Sequence, residues 1–142
     1  MPTYFGRCHC GQIAVEFVSQ LPPSEFHVRA CQCGYCRKHG AEIISDATGL
    51  VRLSVPRDTG NRYRFGHAIT DFHVCNRCGV YVAASWADEG GTIRAVINRR
   101  CLDDAAAFGG PLIAADFDGE TVAERTARRQ TSWTPATIRE TD

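Results

Sequence analysis

Short runs in which apolar and polar residues alternate recur through the first hundred residues. In "QIAVEFVS" (12–19), Ile13, Val15 and Phe17 alternate with Ala14 and Glu16, a period of two that predicts a half-buried strand. "LVRLSV" (50–55) sets Val51, Leu53 and Val55 on one face and Arg52 and Ser54 on the other. "RYRF" (62–65), "TDFHV" (70–74), "VYVAASW" (80–86) and "TIRAVIN" (92–98) continue the series, with turn-forming "PRDTGN" and "DEGG" in between. Helical signals are weaker. "LDDAAAF", after Cys101, predicts a short turn of helix. "ETVAERTARRQT" (120–131) is rich in helix formers, but Val122, Ala123 and Ala127 make only a thin apolar stripe. That predicts a surface helix docked through Trp133, with Arg125, Arg128 and Arg129 on a solvated face rather than in an anion site. The whole pattern predicts one mainly-β domain over residues 1–142, with its core over about 5–104. Residues 105–142 read as a loose C-terminal extension carrying the short helical segment.

At 142 residues the chain can bury a core without covalent staples. Its formal net charge is +0, from 16 basic and 16 acidic residues, which argues against a nucleic-acid partner held by phosphate neutralisation. No segment reaches the roughly 18 apolar residues of a membrane span, and "MPTYFGRCHC" has no secretory pattern. The expectation is a cytoplasmic protein with no membrane partner.

That setting bears on the eight cysteines, because cytosolic thiols are kept reduced and disulfides are disfavoured there. Seven of the eight fall in three tight clusters: "CHC" (Cys8, Cys10), "CQCGYC" (Cys31, Cys33, Cys36) and "CNRC" (Cys75, Cys78). Each has a glycine in or beside it (Gly11, Gly34, Gly79), which suits a metal knuckle whose backbone curls its N–H groups toward the sulfurs. Thiolates in the cytosol point first to zinc. Cys8 and Cys10 with Cys75 and Cys78 give a closed site of four thiolates, leaving Cys31, Cys33 and Cys36 as three ligands with an open position. Spacing alone also allows Cys8 and Cys10 to pair with two of the middle three. It equally allows His39 or Cys101 to close the second site. Cys101, in "RRCLDD", reads otherwise as a buried small hydrophobe.

"CHCGQIAVEF", "CQCGYCRKHG" and "CNRCGV", in this order, resemble the glutathione-dependent formaldehyde-activating enzyme family, which includes the centromere protein V type domains. The resemblance runs from about Phe5 to Asp104. It implies several small coiled β-sheets organised around two zinc ions per chain. The structural zinc would be held by Cys8, Cys10, Cys75 and Cys78, and the catalytic zinc by Cys31, Cys33 and Cys36. The implied activity is a carbon–sulfur lyase reaction on the adduct of glutathione, or another small thiol, with formaldehyde. A thiol would take the open zinc position as thiolate. Arg37 and Lys38 are the candidates for its carboxylates, Tyr35 for the pocket wall and His39 for proton transfer. His9 is expected to point outward. A non-catalytic zinc module binding protein or nucleic acid is the competing reading, and a thiol redox protein the third.

Overall fold

The computed structural model describes residues 2–142. Thr3–Arg7 (β1) and Ala14–Val18 (β2) form an antiparallel hairpin, and β2 pairs antiparallel with Leu50–Pro56 (β5). The alternation behind this prediction holds. Ile13, Val15, Phe17, Val51, Leu53 and Val55 are all buried, while Arg52 is exposed.

A second set of ladders runs through Val28–Cys31 (β3), Ile43–Ile44 (β4), Gly60–Tyr63 (β6), Asp71–Cys75 (β7), Tyr81–Ala87 (β8) and Ile93–Asn98 (β9). Its order is β6-β7-β8-β9-β4-β3, all antiparallel, with Leu112–Ala115 (β10) added parallel to β3. Every residue of β8 from Tyr81 to Trp86 is buried, because core packs on both of its faces. On one side lie Phe17, Phe26 and Phe108, with neighbouring ring centroids 5.5 and 5.3 Å apart. On the other lie Tyr81, Trp86, Val96 and Trp133.

The last strand, Thr134–Thr141 (β11), joins the two sets. Thr134 and Pro135 pair antiparallel with β9, and Ala136 to Thr141 pair parallel with β5. The protein is therefore mainly β, as expected, and its short ladders form one hydrogen-bonded network of eleven strands. The expected loose C-terminal extension is corrected: β11 lies between two strands of the core. "TPATIRET" hides this because it carries few apolar residues, and Pro135, which has no N–H to donate, sits where the strand changes partner.

Two α-helices interrupt the ladders, Gly34–His39 (α1) and Val122–Ser132 (α2). The turn of helix expected after Cys101 is a single 3-10 turn at Ala105–Ala107. α2 opens with a capping box, the Thr121 hydroxyl accepting from the Glu124 N–H and the Glu124 carboxylate from the Thr121 N–H. It does dock beside Trp133, but by the opposite face from that expected. Val122, Ala123 and Ala127 are exposed, whereas Arg125 and Arg128 are half-buried and Arg129 is buried. The solvated-arginine reading is overturned.

Candidate metal centres and the adjoining cleft

Both cysteine groups assemble as the four-plus-three partition requires. Cys8 and Cys10 follow β1, Cys75 ends β7, and Cys78 lies in the turn to β8. Their four sulfurs lie within 4.8 Å of one another. Cys8 Sγ and Cys10 Sγ are 3.7 Å apart, and Cys10 Sγ and Cys75 Sγ 3.5 Å. Sulfurs about 2.3 Å from a tetrahedral zinc stand about 3.8 Å from each other, so the donor set fits that ion. The Ile13 N–H donates to Cys8 Sγ at 3.3 Å, and Gly11 (φ +86°) and Gly79 (φ +78°) supply the left-handed turns that close the two knuckles.

Cys31, Cys33 and Cys36 also gather within 4.8 Å, and among the described residues no fourth ligand atom joins them. Cys31 ends β3, Cys33 caps the N-terminus of α1, and Cys36 lies in its first turn. The Cys36 N–H donates to Cys33 Sγ at 3.4 Å. Gly34 needs no positive φ, contrary to the knuckle expectation; the left-handed residue is Gly40 (φ +61°), which ends the helix. The Cys36 thiol, donating to Cys31, pulls the Cys31 pKa down to about 6 against the effect of burial, with Cys33 helping. Cys36 itself is pushed far up by Cys31, and burial adds to this. One negative charge shared among three sulfurs is what crowded thiols settle for without a cation, and a bound cation would let all three ionise.

Neither candidate for a fourth ligand is there. Cys101 is buried in the core, its thiol 3.6 Å from the Tyr81 carbonyl oxygen, and burial pushes its pKa up to about 12. His39 is exposed, its ring 4.5 Å from that of Tyr35.

Cys31, Cys33 and Cys36 line a cleft whose empty space, open mouth included, is about 610 Å³. Phe65, Phe72, Tyr81, Ile43, Ala84 and Val96 make an apolar floor. The C-terminal segment contributes a wall: Phe117, Asp118, Arg125, Arg128, Arg129 and Trp133. Arg37, Lys38 and His39 are exposed and are not among the lining residues, and Tyr35 lies behind them in an aromatic cluster with Tyr63, Phe65, Phe72 and Tyr81. The Tyr35 hydroxyl is buried without a hydrogen-bond partner among the described residues, and burial pushes its pKa well up. His9 lies between Cys8 and Cys10 on an exposed turn. Sequence reasoning missed Asp118 and the arginine wall; the one available signal was the spacing of Arg125, Arg128 and Arg129 on a single helical face.

The family model described as glutathione-dependent formaldehyde-activating enzyme matches residues 3–112, three quarters of the chain and all seven clustered cysteines. The chain belongs to this family. Membership supports glutathione- and formaldehyde-related chemistry in general. The fold resembles the crystal structure of a Rhodobacter sphaeroides protein from a structural-genomics programme, with a TM-score of 0.59 and 22% identity over 78% of this chain and 99% of that one. No curated protein matches the chain. The family match ends at residue 112, so the cleft wall from Phe117 to Trp133 lies beyond it. Among the described residues no helix is long and apolar enough to cross a membrane.

Proposed function

We propose that this chain is a zinc-dependent carbon–sulfur lyase acting on a thiol–formaldehyde adduct, with glutathione as the thiol and S-hydroxymethylglutathione as the adduct. The observation that carries the reading is a three-cysteine group, with no fourth ligand among the described residues, in the lining of a mainly apolar cleft. Zinc bound by Cys31, Cys33 and Cys36 would supply an open position that favours the thiolate form of an incoming sulfur near neutral pH. The cytoplasmic setting expected from the sequence belongs to the same reading, since it keeps these thiols reduced.

In the direction of synthesis the substrate's sulfur lone pair forms the carbon–sulfur bond at the formaldehyde carbon. The carbonyl π pair moves onto oxygen, and the proton given up by the thiol ends there. Cleavage runs the same steps backwards. Asp118 is the only carboxylate on the cleft wall among the described residues, and we assign it the proton, in place of His39. The apolar floor limits water around the reacting atoms. A non-catalytic zinc module would have no use for a cleft opening on an incompletely ligated metal site.

The test is NMR exchange spectroscopy with isotopically labelled formaldehyde and glutathione. Zinc-loaded protein should accelerate interconversion of free and adduct methylene signals. Cys33→Ser protein that retains the four-cysteine metal should not. Interconversion at the spontaneous rate with saturating glutathione would sink the lyase reading.

A further inference from the structure

Helix α2 is amphipathic in reverse. Val122 is 45% exposed, while Arg125, Arg128, Arg129 and Ser132, at the i, i+3, i+4 and i+7 spacing of one helical face, turn inward. Burying guanidinium groups is costly unless each finds partners. Two of them do. Arg128 bonds Glu120 through Nε at 2.8 Å and Nη2 at 2.9 Å and stacks 3.6 Å over Phe117; Arg125 Nε reaches Glu120 at 3.4 Å.

Arg129 is the exception. It is only 5% exposed and has no carboxylate partner among the described residues. Nη1 donates to Thr70 Oγ1 at 2.7 Å, and the guanidinium carbon lies 4.2 Å from the Trp133 ring and 5.9 Å from that of Trp86. Nε finds no acceptor. Burial first, then the neighbouring charges of Arg125 and Arg128, pull its pKa down to about 9, so the cation is held against an unfavourable field. Arg29 feels the same cluster, its own pKa lowered by burial and by Arg128. Among the described residues Asp118 is the only carboxylate lining the cleft, and Glu120, which does not line it, is committed to the other two arginines.

On the reading of the three-cysteine end as a thiol site, we propose that Arg129 is the receptor for a carboxylate of that ligand. The segment beyond the family match then selects anionic thiols. A carboxylate in the cleft against Arg129 gives the excess positive charge a counter-ion, in the charge-assisted pairing guanidinium favours. The apolar residues lining the same cleft accommodate the ligand's aliphatic body. A purely structural Arg129 would instead only tie α2 to Thr70 and Trp133.

The chain's two tryptophans, Trp86 and Trp133, both stand beside Arg129, so intrinsic fluorescence reports directly on this site. Zinc-loaded protein is titrated with glutathione and with its diethyl ester, and separately with glutarate and glutaramide, which need no thiol site. Wild type should favour each carboxylate over its neutral partner by roughly 10- to 100-fold, the effect of one charge-assisted hydrogen-bonded pair. Arg129→Gln should bring each ratio near unity, and Arg129→Lys should keep part of it. Equal binding of acid and neutral partner by wild type overturns the proposal. So does an unchanged ratio in Arg129→Gln; should that variant not fold, the wild-type and Arg129→Lys ratios decide. Glutathione failing to bind while glutarate binds in an Arg129-dependent way would remove the glutathione reading and leave the carboxylate receptor standing.

Discussion

Zinc-loaded protein exposed to rising concentrations of a strong chelator is expected to lose its metal in two phases with different structural consequences. At the four-cysteine site, Cys8 and Cys75 are 1% and 0% exposed and belong to the main core, and the cluster ties the start of the chain to residues 75–78. A structural zinc site is worth on the order of 10–16 kcal/mol, against about 5–15 kcal/mol for the net stability of a domain. Removing that ion should therefore leave no net stability. The three-cysteine site is supported differently. β3 is paired on both edges, by β4 and β10, and α1 keeps its Cys33 cap, its Gly40 terminus and the aromatic packing of Tyr35. Its metal should leave first, with local loosening only. The assay follows released zinc with a metallochromic indicator alongside far-ultraviolet circular dichroism. One equivalent should appear with the spectrum unchanged, and the second should appear together with unfolding. Cys33→Ser should abolish only the first phase, and Cys78→Ser should prevent folding. Loss of both equivalents from a protein that stays folded would refute the division into structural and open sites, as would a single phase coincident with unfolding.

Phe108, fully buried between Tyr4 (5.0 Å) and Phe26 (5.3 Å), should cost about 3–5 kcal/mol when replaced by alanine, read from urea unfolding at constant m-value. Glu120→Gln should lower stability by about 1–2 kcal/mol by weakening the hydrogen bonds to Arg125 and Arg128. Arg128 chiefly holds the Glu120 pKa below its ordinary 4.5, against burial, so this contribution is present in full above 4.5. The wild-type advantage in urea midpoint should shrink as pH falls through the lowered folded value, and an advantage independent of pH would contradict the assignment. Gly79→Ala should cost about 1 kcal/mol, since its φ of +78° is strained for a residue with a Cβ, and Gly79→Asn should cost less. Thermal unfolding of the zinc-loaded variants compares the two.

What the sequence determined by itself was local. Alternation in 12–19 and 50–55 identified β2, β5 and the faces they bury, because a period of two is a property of each strand alone. The cysteine clusters announced thiolate metal sites, because C-x-C and C-x-x-C bring sulfurs together over one turn of chain. Tertiary structure alone decided which clusters come together, since Cys10 and Cys75 meet across 65 residues and spacing allowed other pairings. It also decided the fate of the C-terminal segment. β11 owes its place to hydrogen bonds with β5 and β9, which need no apolar signature of its own. Arg129 looked like a surface charge because side-chain type predicts exposure only on average. It is buried because Thr70 and Trp86, remote in sequence, converge on it together with Trp133 one helical turn along the chain, and only the folded chain sets it in the lining of the same cleft as the three sulfurs.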